Sequence, residues 1–485
     1  MPGTPARPNA HNRSRPRPTT QGQPGQQRRR PTGGPSRPSQ HRSAPKPKSA
    51  LELGLDAAAE VAVLTADEPV PSFHALGLPE ALVTALARRG VHAPFAIQAR
   101  ALPDAIAGRD VLGRGQTGSG KTLAFGLPLL ARLNRVASLP KAPLGLVLVP
   151  TRELAQQVAD ALSPLGQSLG VRVATVYGGA PMGRQIDQLK RGVHVVIATP
   201  GRLQDLVDRG AADLSQVRVT VLDEADHMAD LGFMPAVTAL LDLTPEKGQR
   251  LLFSATLDRG VDALAQRYLN DPAMHAVAPA ASPVDTMDHL VFAVARETKV
   301  DVAAEIASRP ARTLFFVRTK HGADRLATQL SATGTTATAI HGNLSQGQRR
   351  RALEAFSDGT HRVLVATDVA ARGIHVDDVD LVVHFDPPQD HKDYLHRSGR
   401  TARAGARGTV VSLLLSSEVR GHQRLREEAG VEASATSVVP GHPAVRALAE
   451  SGEPVVVTRR EAPPARRPKR PYDRPSTRVR PTRNG

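Results

Sequence analysis

Asp223-Glu224-Ala225-Asp226 follows directly on the apolar run Val219-Thr220-Val221-Leu222. A short apolar run ending in paired acids reads as the carboxyl end of a buried parallel strand. Two adjacent carboxylates there repel each other unless a cation joins them. Asp223 is placed to hold Mg²⁺, directly or through water, and Glu224 to orient and deprotonate an attacking water. Upstream, Gly115-Gln116-Thr117-Gly118-Ser119-Gly120-Lys121-Thr122 fits the phosphate-loop pattern G-x-x-x-x-G-K-[ST]. Gly115, Gly118 and Gly120 let backbone N–H groups and a helix N-terminus approach phosphate oxygens. Lys121 reaches the outer phosphates, and the Thr122 hydroxyl helps hold the same cation. The two motifs together imply hydrolysis of a nucleoside triphosphate.

The elements that position these residues follow from patterning. Short apolar strands alternate with helical stretches, the signature of doubly wound α/β domains. In the first half the strand candidates are 110–113, 145–150, 193–199, 219–222 and 250–254; in the second they are 313–317, 336–340, 362–366, 381–385 and 409–415. The stretch from Ala276 to Pro283 has turn residues and no periodicity, so it reads as a linker. Two α/β domains, roughly 70–275 and 285–430, are expected on either side of a linker at 276–284.

Charge is distributed unevenly along the 485 residues. Residues 1–50 carry +11 and residues 459–485 carry +8, which leaves −2 of the total +17 for the body. Both ends are rich in Pro, Gly, Ser and Arg and poor in apolar residues, so 1–69 and 431–485 are expected to be disordered basic tails. Such arms attract polyanions by releasing phosphate counterions. The chain has no cysteine, which excludes disulfides and thiolate metal sites and fits a reducing compartment. Without a long apolar stretch or a secretory h-region, no membrane association is expected and cytoplasm is the default.

Further motifs occur in a fixed order. Gly90-Val91-His92-Ala93-Pro94-Phe95-Ala96-Ile97-Gln98 is preceded by Phe73, seventeen residues before its first Gly. Pro150-Thr151-Arg152-Glu153-Leu154-Ala155, Gly178-Gly179, Thr199-Pro200-Gly201-Arg202 and Ser254-Ala255-Thr256 flank the loop and the acids. The second half adds His341-Gly342, Gln346 to Arg349, Ala366-Thr367-Asp368 through Ala371-Arg372-Gly373-Ile374, and His396-Arg397-Ser398-Gly399-Arg400-Thr401-Ala402-Arg403. With these motifs, residues 71–415 resemble the core of a DEAD-box ATP-dependent RNA helicase, about 70% of the chain. The short tails and compact core look most like the bacterial RhlE-type branch.

The resemblance implies two tandem RecA-like doubly wound parallel-sheet domains, with ATP and Mg²⁺ as cofactors and RNA as partner. It implies that Gln98 reads adenine through its amide and that Phe73 stacks on the base. Arg400 and Arg403 become arginine fingers on the γ-phosphate, supplied by the second domain. Ser254 and Thr256 link the acidic tetrad, Asp226 included, to the second domain. The RNA face comes from Thr151, Arg152, Gly179, Thr199, Gly201 and Arg202, with His341, Gly342, Gln346 and Thr367 opposite. Contacts of this kind hold phosphates and 2′-hydroxyls without reading sequence, which suits ribosomal or messenger RNA–protein complexes as substrates. One departure stands at His375, where the family has Asp. Two other readings are open: an ATP-gated clamp or annealing chaperone working through its basic tails, and a DNA helicase or translocase.

Overall fold

The computed structural model describes residues 49–64, 70–115, 118–257, 259–277, 287–371, 379–402 and 407–455. The first sheet holds β1 (Val111–Arg114), β2 (Gly145–Leu148), β3 (Val173–Val176), β4 (Val195–Ala198), β5 (Val219–Asp223), β6 (Gln249–Ser254) and β7 (Ala273–Ala276). Their order across the sheet is β3-β4-β2-β5-β6-β1-β7. The second holds β8 (Met287–Val294), β9 (Thr313–Val317), β10 (Ala337–Ile340), β11 (Val363–Thr367), β12 (Leu381–His384), β13 (Gly408–Leu415) and β14 (Ala435–Ser437), in the order β10-β11-β9-β12-β13-β8-β14. Counted from β8, the second sheet repeats the first strand for strand. Neighbouring strands pair in parallel throughout both. These are two α/β domains of RecA-like type.

The central strands are buried along their whole length, as expected where helices cover both faces of a parallel sheet. Alternate residues feed the two cores: Val147 points to one, Leu146 and Leu148 to the other. Gly113 pairs with Phe253 on the next strand, and a Cβ at Gly113 would fall 2.4 Å from that ring, so glycine is what admits the aromatic.

Order extends beyond the expected domain limits at both ends. Within the segment expected to be disordered, a helix covers Ala50–Leu64. Leu51, Leu55 and Ala58 repeat at helical spacing, and this stripe packs on the first domain's core with Leu55 fully buried. At the other end, β14 extends the second sheet along β8, and the helix Pro443–Ala449 buries Val445 and Leu448. Residues 431–455 therefore complete the second domain, because β8 would otherwise be an open edge. The basic arms 1–48 and 456–485, and linker residues 278–286, lie outside the described residues.

Candidate active site

The strand order sorts the motifs into two groups. In open α/β sheets, ligands bind beyond the carboxyl ends of the strands. The phosphate loop, the acidic tetrad and Ser254-Ala255-Thr256 follow β1, β5 and β6, which are neighbours. Thr151-Arg152, Gly178-Gly179 and Thr199 to Arg202 follow β2, β3 and β4, also neighbours. One sheet edge thus carries the two groups side by side.

In the first group, Gly118 and Gly120 hold φ of +91° and +89°, a left-handed backbone open to glycine, and Gly120 caps the helix Lys121–Arg132. Lys121 is buried and donates to the Gly115 carbonyl at 2.5 Å. Gln98 lies beneath the loop, its Nε2 donating to the Gly120 carbonyl at 2.9 Å and its Oε1 accepting the Phe95 N–H at 2.9 Å. An amide in this state keeps one N–H and one lone pair for adenine. Phe73 departs from the expectation. It is 2% exposed and packed among Leu78, Leu82 and Ile97, so it is a core aromatic with no face turned to a base. Gln116 and Thr117 lie outside the described residues, while Ser119 and Thr122 are partly accessible on the loop and first helical turn.

Asp223 ends β5 almost wholly buried, and its Oδ1 accepts the Glu224 N–H. Burial pushes its carboxyl up to about 7 despite the nearby Lys121, with Glu224 and Asp226 adding repulsion. Such a carboxylate lacks compensating charge, which fits a divalent cation. Mg²⁺ asks little more, since it takes one or two carboxylates and completes its shell with phosphate oxygens and water. Thr122 is the second residue placed to hold it.

Glu224 sits at φ 52°, ψ 52°, a left-handed conformation that costs a non-glycine residue roughly 1–2 kcal/mol and that concentrates at functional sites. Its Oε2 meets His227 Nδ1 at 3.0 Å. Burial alone would raise its pKa, but the His227 hydrogen bond, with His227, Arg400 and Lys121 nearby, brings it down to about 2. Asp226 turns the other way. Its Oδ2 accepts both N–H and hydroxyl of Thr256, at 2.8 and 2.9 Å, while Ser254 Oγ accepts the Asp226 N–H at 3.2 Å. Among the described residues these hydroxyl bonds stay inside the first domain. The expected extension to the second domain is not made.

In the second group, Thr151 and Thr199 cap helices Arg152–Gln167 and Pro200–Asp208, whose N-termini leave this edge of the sheet together. Such termini favour phosphate. The Arg152 guanidinium lies against Gly179, where a Cβ would fall on Nη1, and Arg202 donates to the Ala180 carbonyl at 3.1 Å. The two arginines converge on one turn, with Gly179 and Gly201 exposed beside them.

The second domain presents the matching half. His341 is buried, Nε2 on Asp324 at 2.8 Å and Nδ1 accepting the Asn343 N–H, so it braces its turn and leaves Gly342 exposed. Gln346, expected on RNA, instead donates to Glu153 Oε1 across the cleft at 3.1 Å. Arg349, one turn on, donates to the same oxygen at 2.7 Å. Thr367 ends β11 beside Asp368, whose carboxylate receives the Arg397 fork at 2.6 and 2.8 Å. Arg400 follows that fork and acts electrostatically on Glu224. Arg403 and His375 lie outside the described residues. Glu153, Arg349, Asp368, Arg397 and His227 were not assigned roles from sequence. The available signal was Gln346 and Arg349 on one helix face, three residues apart.

Two family profiles match: DEAD/DEAH box helicase over residues 95–264 and helicase conserved C-terminal domain over 298–405. The chain is 39% identical over 350 residues to the DEAD-box ATP-dependent RNA helicase CshA of Geobacillus kaustophilus, covering 72% of this chain and 74% of that protein. It is 42% identical over 355 residues to the ATP-dependent RNA helicase DBP2 of Debaryomyces hansenii, covering 71% of this chain but 66% of that protein. The fold matches that of S. cerevisiae Dbp5 bound to RNA and ADP BeF3 with a TM-score of 0.66 at 27% identity, over 78% of this chain and 100% of the other. The chain belongs to the DEAD-box family of ATP-dependent RNA helicases.

Proposed function

We propose that this chain couples ATP hydrolysis to local, non-processive opening of short RNA duplexes or remodelling of RNA–protein complexes. The observation that carries the reading is that the phosphate loop and the acidic tetrad follow β1 and β5, which flank β6 in the first sheet, while Gln346 and Arg349 of the second domain both donate to Glu153 beside Thr151 and Arg152. The nucleotide and nucleic-acid halves lie on the same sheet edge, so a ligand in either half favours the same closed arrangement. That shared preference couples them.

Lys121 and the loop amides bind the phosphates. Bound Mg²⁺, held by Asp223 and Thr122, would neutralise charge on the phosphate oxygens. Glu224, whose carboxyl His227, with Arg400 and Lys121, holds below the ordinary carboxylate range, orients the water and accepts its proton as phosphate draws on Lys121 and Arg400. Arg400, joined by Arg403, stabilises charge on the transferred group, and loss of that contact reopens the cleft. Phosphate and sugar contacts from Thr151, Arg152, Gly179, Thr199, Gly201, Arg202, Gly342 and Thr367 hold one strand without selecting sequence. No described helix is long and apolar enough to cross a membrane. A cytoplasmic setting is part of the proposal, as is a place in the RhlE-type branch.

The test is steady-state ATPase with no nucleic acid, with single-stranded RNA and with matched DNA, at two salt concentrations. Stimulation by RNA alone is expected. Equal stimulation by DNA would sink the RNA assignment, and near-normal turnover in Lys121→Ala would sink the site.

A further inference from the structure

β3 is the outermost strand of the first sheet, with β4 on its one paired side. The Arg172 carbonyl accepts the Val195 N–H at 3.1 Å, and the Val176 carbonyl accepts the Thr199 N–H at 3.0 Å. In a parallel ladder the N–H and C=O of one residue point to the same side, and the side alternates along the strand. Arg172, Ala174 and Val176 therefore face β4, while Val173 and Thr175 face outward. Among the described residues the backbone groups of Val173 and Thr175 have no hydrogen-bond partner.

A cavity of about 420 Å³ opens along this edge. Val173 lines it, with Gln167 from the helix Arg152–Gln167 on one side and Gln188 from the helix Met182–Lys190 on the other. The two helices pack in the cores on opposite faces of the sheet, so the cavity straddles the strand edge. Arg172 and Arg191 complete the lining, which contains no acidic side chain. Arg172 Nη2 donates to Ser138 Oγ, and neither guanidinium meets a carboxylate among the described residues. The His194 ring fixes the start of the strand, its Nδ1 accepting the Arg172 N–H at 3.0 Å and its Nε2 donating to the Val136 carbonyl at 2.9 Å. A short open edge strand is ordinary by itself. Here the free edge, the cavity and two uncompensated guanidiniums coincide. An extended peptide matches all three, because its alternating N–H and C=O groups pair with those of Val173 and Thr175 while its carboxylates meet the arginines. A phosphodiester chain offers mainly acceptors and leaves the outward carbonyls unmatched. The chain's own arms carry +11 and +8 and are repelled, and a second copy would bring the same two arginines to the shared edge.

We propose that the open edge of β3 docks an extended acidic segment of a partner protein by strand addition, with Arg172 and Arg191 receiving its carboxylates. The cavity lies at the start of β3, whereas Gly178-Gly179 follow its other end, roughly 20 Å along the chain, so the partner is held without covering that turn. The probe is a labelled peptide of about ten residues alternating valine and glutamate, titrated against the full chain by fluorescence anisotropy. The basic arms attract any acidic peptide, so the readouts are differences made at the edge itself. Arg172→Glu and Arg191→Glu should each weaken peptide binding about tenfold and leave RNA-stimulated ATPase unchanged. The same peptide with an N-methylated backbone keeps its charge but loses its donors, and should bind the parent chain about tenfold more weakly. Thr175→Pro removes an outward N–H without touching the bonds to β4, and should weaken the unmethylated peptide at an unchanged melting temperature. Equal binding of the two peptides, or arginine variants that bind like the parent, overturns the proposal. Equal loss of single-stranded RNA and peptide in the arginine variants would assign the surface to nucleic acid and also overturns it. So does a parent dimer that the peptide dissociates, since the edge would then belong to a second copy.

Discussion

Arg349 Nε donates to Glu153 Oε1 at 2.7 Å, with the two side chains 9% and 6% exposed, and the residues lie on helices of different domains. Glu153 lies in the first turn of the helix capped by Thr151, so this ion pair anchors the second domain beside the residues proposed to hold RNA. Removing one partner of a buried pair leaves the other charge uncompensated, at a cost of roughly 3–5 kcal/mol. Glu153→Ala should therefore disfavour the joined arrangement and lower RNA-stimulated ATPase by tenfold or more, with a smaller effect on turnover without RNA. Adding Arg349→Ala should cost less than the sum of the two single changes. A double-mutant cycle on kcat/KM measures this, and additive losses would show that the pair does not couple the domains.

The hydrogen bond from His227 to Glu224 sets up a second test. Burial opposes the charged carboxylate, and the His227 contact is the largest influence pulling the other way, toward a pKa of about 2. In His227→Ala burial dominates, so the Glu224 pKa rises. Its ionised form is then lost as pH falls through the ordinary carboxylate range, near 4.5 or above. The pH–rate profile should gain an acid limb that the parent lacks over the same interval. Glu224→Gln, which keeps shape but cannot accept a proton, should lower kcat by roughly 10²–10⁴ while retaining ATP and RNA. Identical acid limbs in parent and His227→Ala would detach His227 from Glu224.

Sequence patterning exposed the strands that burial makes apolar end to end. β2, β4, β5, β9, β11 and β12 are buried at every position, and each was visible as a continuous run. β3, β7, β8 and β14 went unseen; β3, β7 and β14 are sheet edges with partly open faces, and β8, next to the edge, is buried over only part of its length. The helix Ala50–Leu64 was hidden for a related reason. Its buried stripe is mostly leucine and alanine next to a strongly basic segment, and its partner β7 was itself unseen. In the site, spacing located Lys121, Asp223 and Glu224 because their chemistry needs neighbours in sequence. The positions of Phe73 and Gln346 depend on packing between distant segments, which spacing does not encode.

Three buried histidines in the second domain give a pH dependence far from the nucleotide. His289 meets Tyr394 Oη at 2.7 Å, and the rings of His384 and His422 pack edge-on against the same tyrosine, at 5.0 and 5.7 Å. Burial, reinforced by Arg426, lowers His289 and His422 to about 4, and burial with Arg397 lowers His384 as well. Unfolded imidazole titrates near 6.5, so their contribution to stability is complete above that value and is lost as pH falls towards 4. Uptake of two to three protons on unfolding corresponds to roughly 3–4 kcal/mol per pH unit inside this window, somewhat less because His289 is partly open to solvent. Urea titrations of the full chain at pH 7.5, 6 and 5 measure the slope. A flat profile would mean that the cluster accepts protons without unfolding.

The N-terminal helix grips the strand that feeds the phosphate loop. Arg114 ends β1, immediately before Gly115, and its guanidinium reaches Asp56 Oδ1 at 2.7 Å and the Leu55 carbonyl at 3.2 Å. Ser49 Oγ donates to Asp262 Oδ1 at 2.7 Å, on the helix that follows Ser254-Ala255-Thr256. Both contacts reach segments adjoining nucleotide motifs, which makes the helix part of the first domain's working structure. Deleting residues 1–64 should therefore raise the KM for ATP several-fold and lower the melting temperature by about 5 °C, as expected from losing a buried leucine and its neighbours. Deleting only residues 1–48, which carry eleven positive charges and no acid, should leave ATP kinetics intact and reduce the salt-sensitive part of RNA binding. The two truncations differ by sixteen residues (49–64) that carry three acids and no positive charge, so the comparison separates anchoring from the basic arm's electrostatics. Equal ATP kinetics in both would show that the helix rides on the sheet without setting the loop.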